Sequence, residues 1–433
     1  MAKNPLAVLR ALAVLVLAGL MSQNAAASTY KKLYSFCAQA NCADGGTPVA
    51  GLLRDPSGTL YGTALAGGPH GAISGTVFAL APDGAGWQYQ VLYAFCSQPQ
   101  CADGETPIAG LIEDAQGNLY GTTSSGGHGG VVFKLTHNAA RTSWTQSVLY
   151  SFCVVSGCLD GQAPNSTLTY QGAASGAPYD GTSPLYGTTE VGGGAAAGVV
   201  YALTPGSGGS WTETVVYDFC PGADCSTGHR PGGGLVMDGA GHLFANVSVG
   251  GDIHDDGTVV ELSAKHGAWS VSRLYAFCAA RKCKDGANPS GALVLDATGD
   301  VIGTTQVGGQ RNGGTLFKLS PKRGGWKEQV LYRFCTQRKC KDGAQPVGGV
   351  TMDGSGNLIG TASGGGTTAN QGTVFSFNAG TLDTLYAFCR QGDSCSDGSQ
   401  PLSGAIADGS GDIFGVTYQG GDAGAGAIFE ITP

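Results

Sequence analysis

The sequence lacks the features of several large classes of protein. After residue 27, no stretch keeps a hydrophobic period of 3.6 residues long enough to predict a substantial helix. No later segment is apolar enough to cross a membrane. The motifs G-x-S-x-G and H-E-x-x-H and a phosphate-binding loop are all missing. Glycine-rich pieces such as Gly192–Gly194 join one β-rich run to the next, which argues against a dinucleotide site. The sequence therefore contains no familiar catalytic motif.

Fourteen cysteines fall into seven pairs, and each pair marks the same point of a repeated unit. The first member follows a Phe, and successive pairs lie 54 to 67 residues apart. A recurring period of this size predicts a ring of small sheets. Because a feature present in every unit serves the architecture, we expect a functional site where the units differ. The pairs are Cys37 with Cys42, Cys96 with Cys101, Cys153 with Cys158, Cys220 with Cys225, Cys278 with Cys283, Cys335 with Cys340 and Cys389 with Cys395.

Each unit contains four short β-rich runs separated by Gly, Pro and Asp. In the first unit these runs are Val49–Arg54, Thr59–Thr63, Thr76–Leu80 and Trp87–Phe95. The separators have the composition of hairpin turns. Four antiparallel strands in each of seven units predict an all-β fold, a seven-bladed β-propeller.

The two ends of the chain predict how the ring closes. After the last cysteine pair only three strands follow, Pro401–Ala407, Asp412–Thr417 and Ala427–Thr432. The missing fourth strand is Thr29–Phe36, which we expect to pair with Ala427–Thr432 and to remove both exposed edges. Residues 28–433 are therefore predicted to form one domain.

Three further features have structural interpretations. Five tryptophans, each eight residues before the Phe of a cysteine pair, are expected to pack between blades or on the outer strand. Asp-x-x-Gly turns such as Asp55–Gly58 and Asp353–Gly356 lack the alternating carboxylates of a calcium loop, so each Asp should bind its own backbone. The long third interval contains an insertion at Tyr170–Ser183, which is predicted to be a disordered loop.

Residues 1–27 have the pattern of a secretory signal peptide. Lys3 and Arg10 supply positive charge, Ala11–Met21 is an apolar run too short for a permanent anchor, and Ala25–Ala27 offers small residues for cleavage. We therefore expect a secreted or periplasmic protein.

In an exported chain the cysteine pairs indicate disulfides. Each pair is expected to close its own loop between the outer strand of one blade and the inner strand of the next. Zinc shared between neighbouring loops is a weaker alternative, because seven pairs cannot be shared two by two. A ring of bridges between blades also fits the count.

The run D-G-x-x-P-x-x-G-L-x-x-D-x-x-G-N-L-Y-G-T-T-x-x-G-G-x-x-G-x-x-F has its nearest copies at Asp103–Phe133 and Asp342–Phe375. It resembles the GloVer-type tandem repeats of bacterial secreted and surface proteins, and the resemblance covers essentially residues 29–433. The resemblance implies a bacterial, exported propeller and implies no activity. The cysteine pairs depart from the usual pattern and suggest additional cross-linking.

Six units carry an Asp before the innermost strand, at positions expected to face the central channel: Asp44, Asp103, Asp160, Asp285, Asp342 and Asp397. Six carboxylates in a ring could bind a cation or raise one another's pKa. The favoured interpretation is that each Asp accepts backbone hydrogen bonds in its own loop.

The fourth unit differs from the others, with Thr227 in place of the Asp. A His beside carboxylates is the composition of a metal site or an acid–base pair, although a solvated loop is the favoured interpretation. We expect the changed residues to project from one face of the blade. They are His229, Arg230, Asn246, Asp252, His254, Asp255 and Asp256.

Charge is unevenly distributed along the chain. Residues 265–341 hold 14 basic and four acidic residues, whereas the chain as a whole has a formal net charge of −8. A focused positive sector could attract an anionic glycan or a lipid headgroup, although solvated surface is the favoured interpretation. Six of these basic residues lie in two neighbouring cysteine loops: Arg281, Lys282, Lys284, Arg338, Lys339 and Lys341.

The sequence predicts a monomeric extracellular binding or scaffold module whose ligand is a polysaccharide or a protein. The alternative is a carbohydrate-active lyase or hydrolase on the same scaffold. We expect no catalytic residue, metal or cofactor. We also expect no nucleic-acid partner, since the chain is acidic overall and its basic loops lack interleaved aromatics.

Overall fold

The computed structural model describes residues 28–223, 225–251, 254–390 and 394–432. The predicted signal peptide, residues 1–27, and the candidate site residue Asp252 lie outside the described residues. None of the helices in the described ranges is long and apolar enough to cross a membrane.

Seven four-stranded antiparallel sheets form the propeller, as predicted. In chain order the strands are β1 (Thr29–Ser35), β2 (Leu53–Arg54), β3 (Leu60–Ala64), β4 (Thr76–Asp83), β5 (Gly86–Ala94), β6 (Ile112–Glu113), β7 (Leu119–Thr123), β8 (Val131–His137), β9 (Trp144–Ser151), β10 (Gln162–Pro164), β11 (Leu185–Val191), β12 (Val199–Pro205), β13 (Trp211–Asp218), β14 (His229–Met237), β15 (Leu243–Val249), β16 (Thr258–Lys265), β17 (Ala268–Ala276), β18 (Ala287–Leu295), β19 (Val301–Val307), β20 (Thr315–Lys322), β21 (Gly325–Arg333), β22 (Val350–Met352), β23 (Leu358–Ala362), β24 (Thr373–Asn378), β25 (Thr381–Ala387), β26 (Ile406–Ala407), β27 (Ile413–Thr417) and β28 (Ala427–Thr432).

Blade 1 contains β2–β5, and each following group of four strands forms the next blade up to β22–β25 in blade 6. Blade 7 contains β26, β27, β28 and β1. The helical segments are single 3-10 turns: Ala40–Cys42, Pro99–Cys101, Ser156–Cys158, Ala173–Ser175, Ser207–Gly209, Pro221–Ala223, Gln310–Asn312 and Arg338–Cys340.

The N-terminal strand closes the ring as predicted. Strand β1 pairs with β28 in antiparallel register, with Thr29 opposite Thr432 and Ser35 opposite Ala427. The last blade is thus assembled from both ends of the described chain, and neither β28 nor β1 is left as a single exposed strand.

The core consists of aromatic and aliphatic contacts between neighbouring blades. The Phe that precedes each cysteine pair is fully buried, as Phe36 is. Outside blade 4 it packs against an aromatic residue on the third strand of the next blade, as Phe36 does against Phe78 at 5.2 Å between ring centroids. A Cβ atom added to Gly62 would lie 2.5 Å from Phe78, so the Gly of the repeated Tyr-Gly-Thr makes room for this ring. The tryptophans pack between blades as predicted; Trp87, for example, lies 6.1 Å from the ring of Phe414.

The insertion at Tyr170–Ser183 is ordered, so the prediction of a disordered loop was wrong. Tyr170 and Tyr179 are buried, and the rings of Tyr179 and Tyr120 meet edge to face at 5.2 Å. The Tyr179 amide donates a hydrogen bond to the Glu113 carbonyl at 2.9 Å. Two tyrosines in a sequence otherwise rich in Gly, Ala and Ser bury enough surface to fold the insertion onto blade 2.

All seven disulfides are local, as predicted, and join the two cysteines of each loop. No cysteine is free among the described residues. Non-reducing peptide mapping of the purified protein should therefore recover Cys37 linked to Cys42, and the equivalent peptide from each other loop. A link between loops, such as Cys42 to Cys96, would contradict this arrangement.

Candidate functional site

The propeller has two faces with different chemistry. The cysteine face consists of the disulfide loops and of the Gly-Gly loops that join the second and third strands of each blade. The Gly68 amide, for example, donates to the Cys42 carbonyl at 2.9 Å, and the other six blades repeat this bond. The turn face consists of the Asp-x-x-Gly turns and the turns before the outer strands. In the first of these turns Asp55 accepts hydrogen bonds from the Ser57 and Thr59 amides, so its predicted structural role is confirmed.

The six repeated Asp residues are structural, as favoured from the sequence. Asp44 accepts hydrogen bonds from the Ala38 and Gln39 amides and from the Tyr34 hydroxyl. Burial acts to raise the pKa of the equivalent Asp103, but hydrogen bonds from Tyr93, Ser97 and Gln98 hold that pKa below its ordinary value. In blade 4 the Tyr217 hydroxyl meets the Thr227 hydroxyl instead.

The expectation that these six carboxylates face the central channel was wrong, because they are buried beneath their own loops. All seven blades line the channel with small and apolar residues, which lie in the innermost strands or in the segments next to them. Its polar side chains are Asn165, Thr167, Thr351 and Ser403, and its volume is about 340 Å³. Among the described residues that line the channel, none has an ionisable side chain.

The structure brings together only part of the predicted site in blade 4. His229 Nε2 lies 3.6 Å from Asp255 Oδ1, with Asp255 largely exposed. Arg230 follows His229 at the start of strand β14, His254 precedes Asp255, and both Arg230 and His254 are exposed. Asp256 is half-buried, and its carbonyl accepts a hydrogen bond from the Asn288 amide of blade 5.

Asn246 does not project from this face, so its assignment to the cluster was wrong. It is fully buried and donates through Nδ2 to the Gly291 carbonyl of blade 5 at 2.9 Å. Its neighbour Ala245 replaces the repeated Gly because the facing residue of strand β16 is Val260 rather than Phe. The unusual Phe-Ala-Asn is therefore a matched change in the core.

The predicted basic loops form a larger cationic surface than the sequence indicated. The six predicted side chains are all exposed on the cysteine face of blades 5 and 6. Arg333 lies among them and donates to the Lys284 carbonyl at 3.0 Å, and Arg311 donates to the Gln337 carbonyl at 3.2 Å. We name these eight residues the basic sector: Arg281, Lys282, Lys284, Arg311, Arg333, Arg338, Lys339 and Lys341.

Sequence reasoning did not single out Arg311 and Arg333, which lie in a Gly-Gly loop and at the end of an outer strand. Their positions in the repeat could have indicated them, since the Gly-Gly loop and the end of the outer strand both lie next to a cysteine loop. In the described ranges, the ion pairs of the chain involve other residues, and none includes a member of the basic sector.

A cleft of about 680 Å³ opens on the turn face, between the insertion of blade 3 and the turns of blades 1 and 2. Arg141 lies at its base, where NH1 is 3.3 Å from Asp55 Oδ2 and 2.9 Å from the Tyr61 hydroxyl. Its NH2 is 3.7 Å from Glu113 Oε1. Burial, and then the Asp55 carboxylate, raise the pKa of Glu113. Sequence reasoning missed this turn-face cleft, although the long third interval was a signal of it.

The fold and the two faces define a disulfide-bonded, seven-bladed β-propeller built from one repeated unit. The chain belongs to the family described as the Gloeobacter/Verrucomicrobia repeat, whose model matches residues 18–184 and 174–429. This match confirms the resemblance to GloVer-type repeats. Among curated proteins, none matches the chain.

Solved structures with a similar chain course have low sequence identity to this protein. A Bacteroides uniformis protein described as a 6-phosphogluconolactonase has a TM-score of 0.47 at 11% identity, over 77% of this chain and 83% of that one. An endo-arabinase from Bacteroides thetaiotaomicron has a TM-score of 0.35 at 13% identity, over 66% and 93%. A triple arginine-to-alanine variant of AofleA from Arthrobotrys oligospora has a TM-score of 0.42 at 12% identity, over 84% and 91%. These values are too low to carry a function to this chain.

Proposed function

We propose that the protein is an exported binding module and that its basic sector holds an anionic polysaccharide. The observation that carries the proposal is the group of eight exposed cationic side chains on one face, none of which forms an ion pair with a described acidic residue. Export is supported by the signal-like residues 1–27 and by seven disulfides, which persist in oxidising compartments.

The chemistry of the basic sector suits carboxylate or sulfate groups arranged along a chain. Arg presents a planar fork that binds such groups in a bidentate way, and Lys adds a mobile point charge. Arg333 and Arg311 each use one side of the guanidinium on a backbone carbonyl, which holds the fork in place. Because the rest of the chain is strongly acidic, a polyanion should be directed to this sector and repelled elsewhere.

The channel gives less support to the alternative, a carbohydrate-active enzyme. Hydrolysis of a glycosidic bond ordinarily needs two carboxyl groups beside the substrate, and the residues that line the channel include none. Depletion of a glycan by the purified protein would favour the enzyme.

Replacing Arg281, Lys282, Lys284, Arg338, Lys339 and Lys341 together with Gln should weaken binding to a sulfated or uronic-acid glycan by about tenfold or more. The salt dependence of the affinity should also flatten, because fewer charges attract the ligand over the screening length. Isothermal titration at two or more ionic strengths measures both effects. All six side chains are exposed, so the melting temperature should hardly change.

The matched control replaces Lys322, Arg323 and Lys327, which lie at or beside the β20–β21 turn on the opposite face. These three exposed cations belong to the same blade, and their loss should leave glycan affinity nearly unchanged. Equal losses in both variants would show a non-specific charge effect. Full affinity in the six-residue variant would exclude the basic sector as the site.

A further inference from the structure

We propose that the turn-face cleft is a second binding site, which takes a neutral polyhydroxy ligand such as one end of an uncharged oligosaccharide. This site is separate from the basic sector, which lies on the opposite face of the propeller. Its volume of about 680 Å³ falls within the range of about 300–1,000 Å³ that is usual for small-molecule sites.

The insertion that forms one wall of the cleft is an addition to the repeat. Blades 1, 2 and 6 join their first two strands by a short Asp-x-x-Gly turn, whereas blade 3 extends over its neighbours. The Tyr170 hydroxyl donates to the Ala177 carbonyl at 2.6 Å, and the Gln171 amide donates to the Gly239 carbonyl of blade 4 at 3.4 Å. Since these bonds hold the wall in place without a ligand, binding need not order it.

The polar base of the cleft has unused hydrogen-bonding capacity. The gap of 3.7 Å between Arg141 NH2 and Glu113 Oε1 is too long for a direct hydrogen bond. In the described part of the chain, no side chain or amide donates to the Glu113 carboxylate. A sugar hydroxyl is both donor and acceptor, so it can donate to Glu113 while its oxygen accepts from Arg141.

The three cations around the cleft are already paired with carboxylates, which disfavours an anionic ligand. Arg141 pairs with Asp55 at 3.3 Å, Lys134 lies 3.8 Å from Asp114, and Arg54 lies 3.3 Å from Asp408 on the next blade. An anionic ligand would have to compete with one of these pairs. A neutral ligand can use the polar groups and leave the pairs intact.

Apolar side chains complete the lining. Leu53 and Ile112 lie at the ends of two innermost strands, and Tyr170, Ala177 and Pro178 contribute the opposite wall. A sugar ring presents C–H groups on its flat faces and hydroxyls around its rim. Apolar walls with a few convergent polar groups are the usual construction of a small-molecule site.

The test is a titration of the full mature protein with methyl glycosides of the common neutral hexoses and pentoses and with their disaccharides. At least one should bind at concentrations up to about 10 mM, the weak end of measurable affinity. Glu113→Gln should weaken that binding about tenfold, because a charged acceptor is replaced by a neutral one of the same shape. The exposed turn-face variant Asp83→Asn is the matched control and should leave binding unchanged.

Failure of every neutral sugar to bind would overturn the proposal, and so would binding that Glu113→Gln leaves unaltered. A replacement of Gly172–Gly176 by two glycines, with Tyr170 and Tyr179 retained, removes part of the wall and should also weaken binding. The two proposals fail separately. Glu113→Gln should not change affinity for the anionic glycan, and the six-residue Gln variant should not change affinity for the neutral sugar.

Discussion

Deletion of Ser28–Phe36 should cause a large fall in melting temperature, or aggregation, because strand β28 would lose its partner. The loss extends beyond backbone hydrogen bonds. Phe36 is fully buried against Phe78 of blade 1, and Tyr30 stacks on Tyr386 of blade 6 at 4.3 Å. One buried Phe alone contributes about 3–5 kcal/mol when it is replaced by Ala. Thermal denaturation and size-exclusion chromatography measure the effect.

A permuted chain provides the control for this deletion. Thr29 lies opposite Thr432, so the two strands can be joined directly by a hairpin. A chain that starts at Cys37 and continues from Thr432 through Asn-Gly into Thr29–Phe36 should recover most of the stability, because Asn-Gly favours the two-residue hairpin turn. If the deleted chain is a monomer as stable as the parent, β1 does not close the ring.

Double replacement of Glu213 and Glu328 by Gln should raise the free energy of unfolding above pH 7 and leave it nearly unchanged near pH 4. Glu213 lies opposite a Leu of the adjacent strand in blade 3. The equivalent residue of the outer strand, also opposite a Leu, is Tyr89 in blade 1 and Gln146 in blade 2. Tyr89 and Gln146 each donate to the carbonyl of the loop Asp. An ionised Glu cannot donate, and one carboxylate oxygen of each Glu is buried without a partner.

The sign of the pH dependence follows from the direction of the pKa shifts. Burial, and then Asp160, raise the pKa of Glu213 to about 7. Burial, and then Asp285, raise the pKa of Glu328 to about 7 as well, although the positive charge of Arg333 acts to lower that pKa. The ordinary pKa of Glu is 4.5. The folded state therefore holds these protons where the unfolded state has released them, so stability falls as pH rises from about 4.5 to about 7.

Other ionisable groups near Glu213 are Tyr150 and Tyr201, which stay neutral in this range because burial raises the pKa of both.

Above pH 7, each Glu should lower the free energy of unfolding of the parent protein by about 1–2 kcal/mol, a figure reduced to allow for the partial exposure of both side chains. Urea unfolding at several pH values measures the difference between variant and parent. Glu190→Gln, on strand β11, is the control. A difference that does not change with pH would contradict this explanation.

The repeat made most of the fold predictable from sequence. Seven Phe-Cys positions set the number of blades, and the short loop between Cys37 and Cys42 allowed a local disulfide. The missing strand at one end of the chain and the surplus strand at the other indicated how the ring closes. The role of Asp44 was predictable because a short polar side chain before Gly in a tight loop binds nearby amides.

Candidate sites were less predictable, because a departure from the repeat can be structural or functional. Asn246 was assigned to the face of blade 4, but it is buried and bonds to blade 5. The neighbouring change to Ala245 belongs with Val260, which lies opposite it on the adjacent strand and which the repeat does not mark as its partner. The insertion contains many small residues, and only its two buried tyrosines show why it is ordered.

Local spacing and composition were enough to predict the class of fold, the disulfide loops and the uneven charge. Which loops meet became known only from the three-dimensional arrangement of the blades. This arrangement adds Arg311 and Arg333 to the basic sector and brings Arg141 next to Glu113. It also places Glu213 at the position from which Tyr89 and Gln146 donate a hydrogen bond to the loop Asp carbonyl in blades 1 and 2. These groups come from different blades or distant strands, and their meeting depends on strand register and on the closure of the ring.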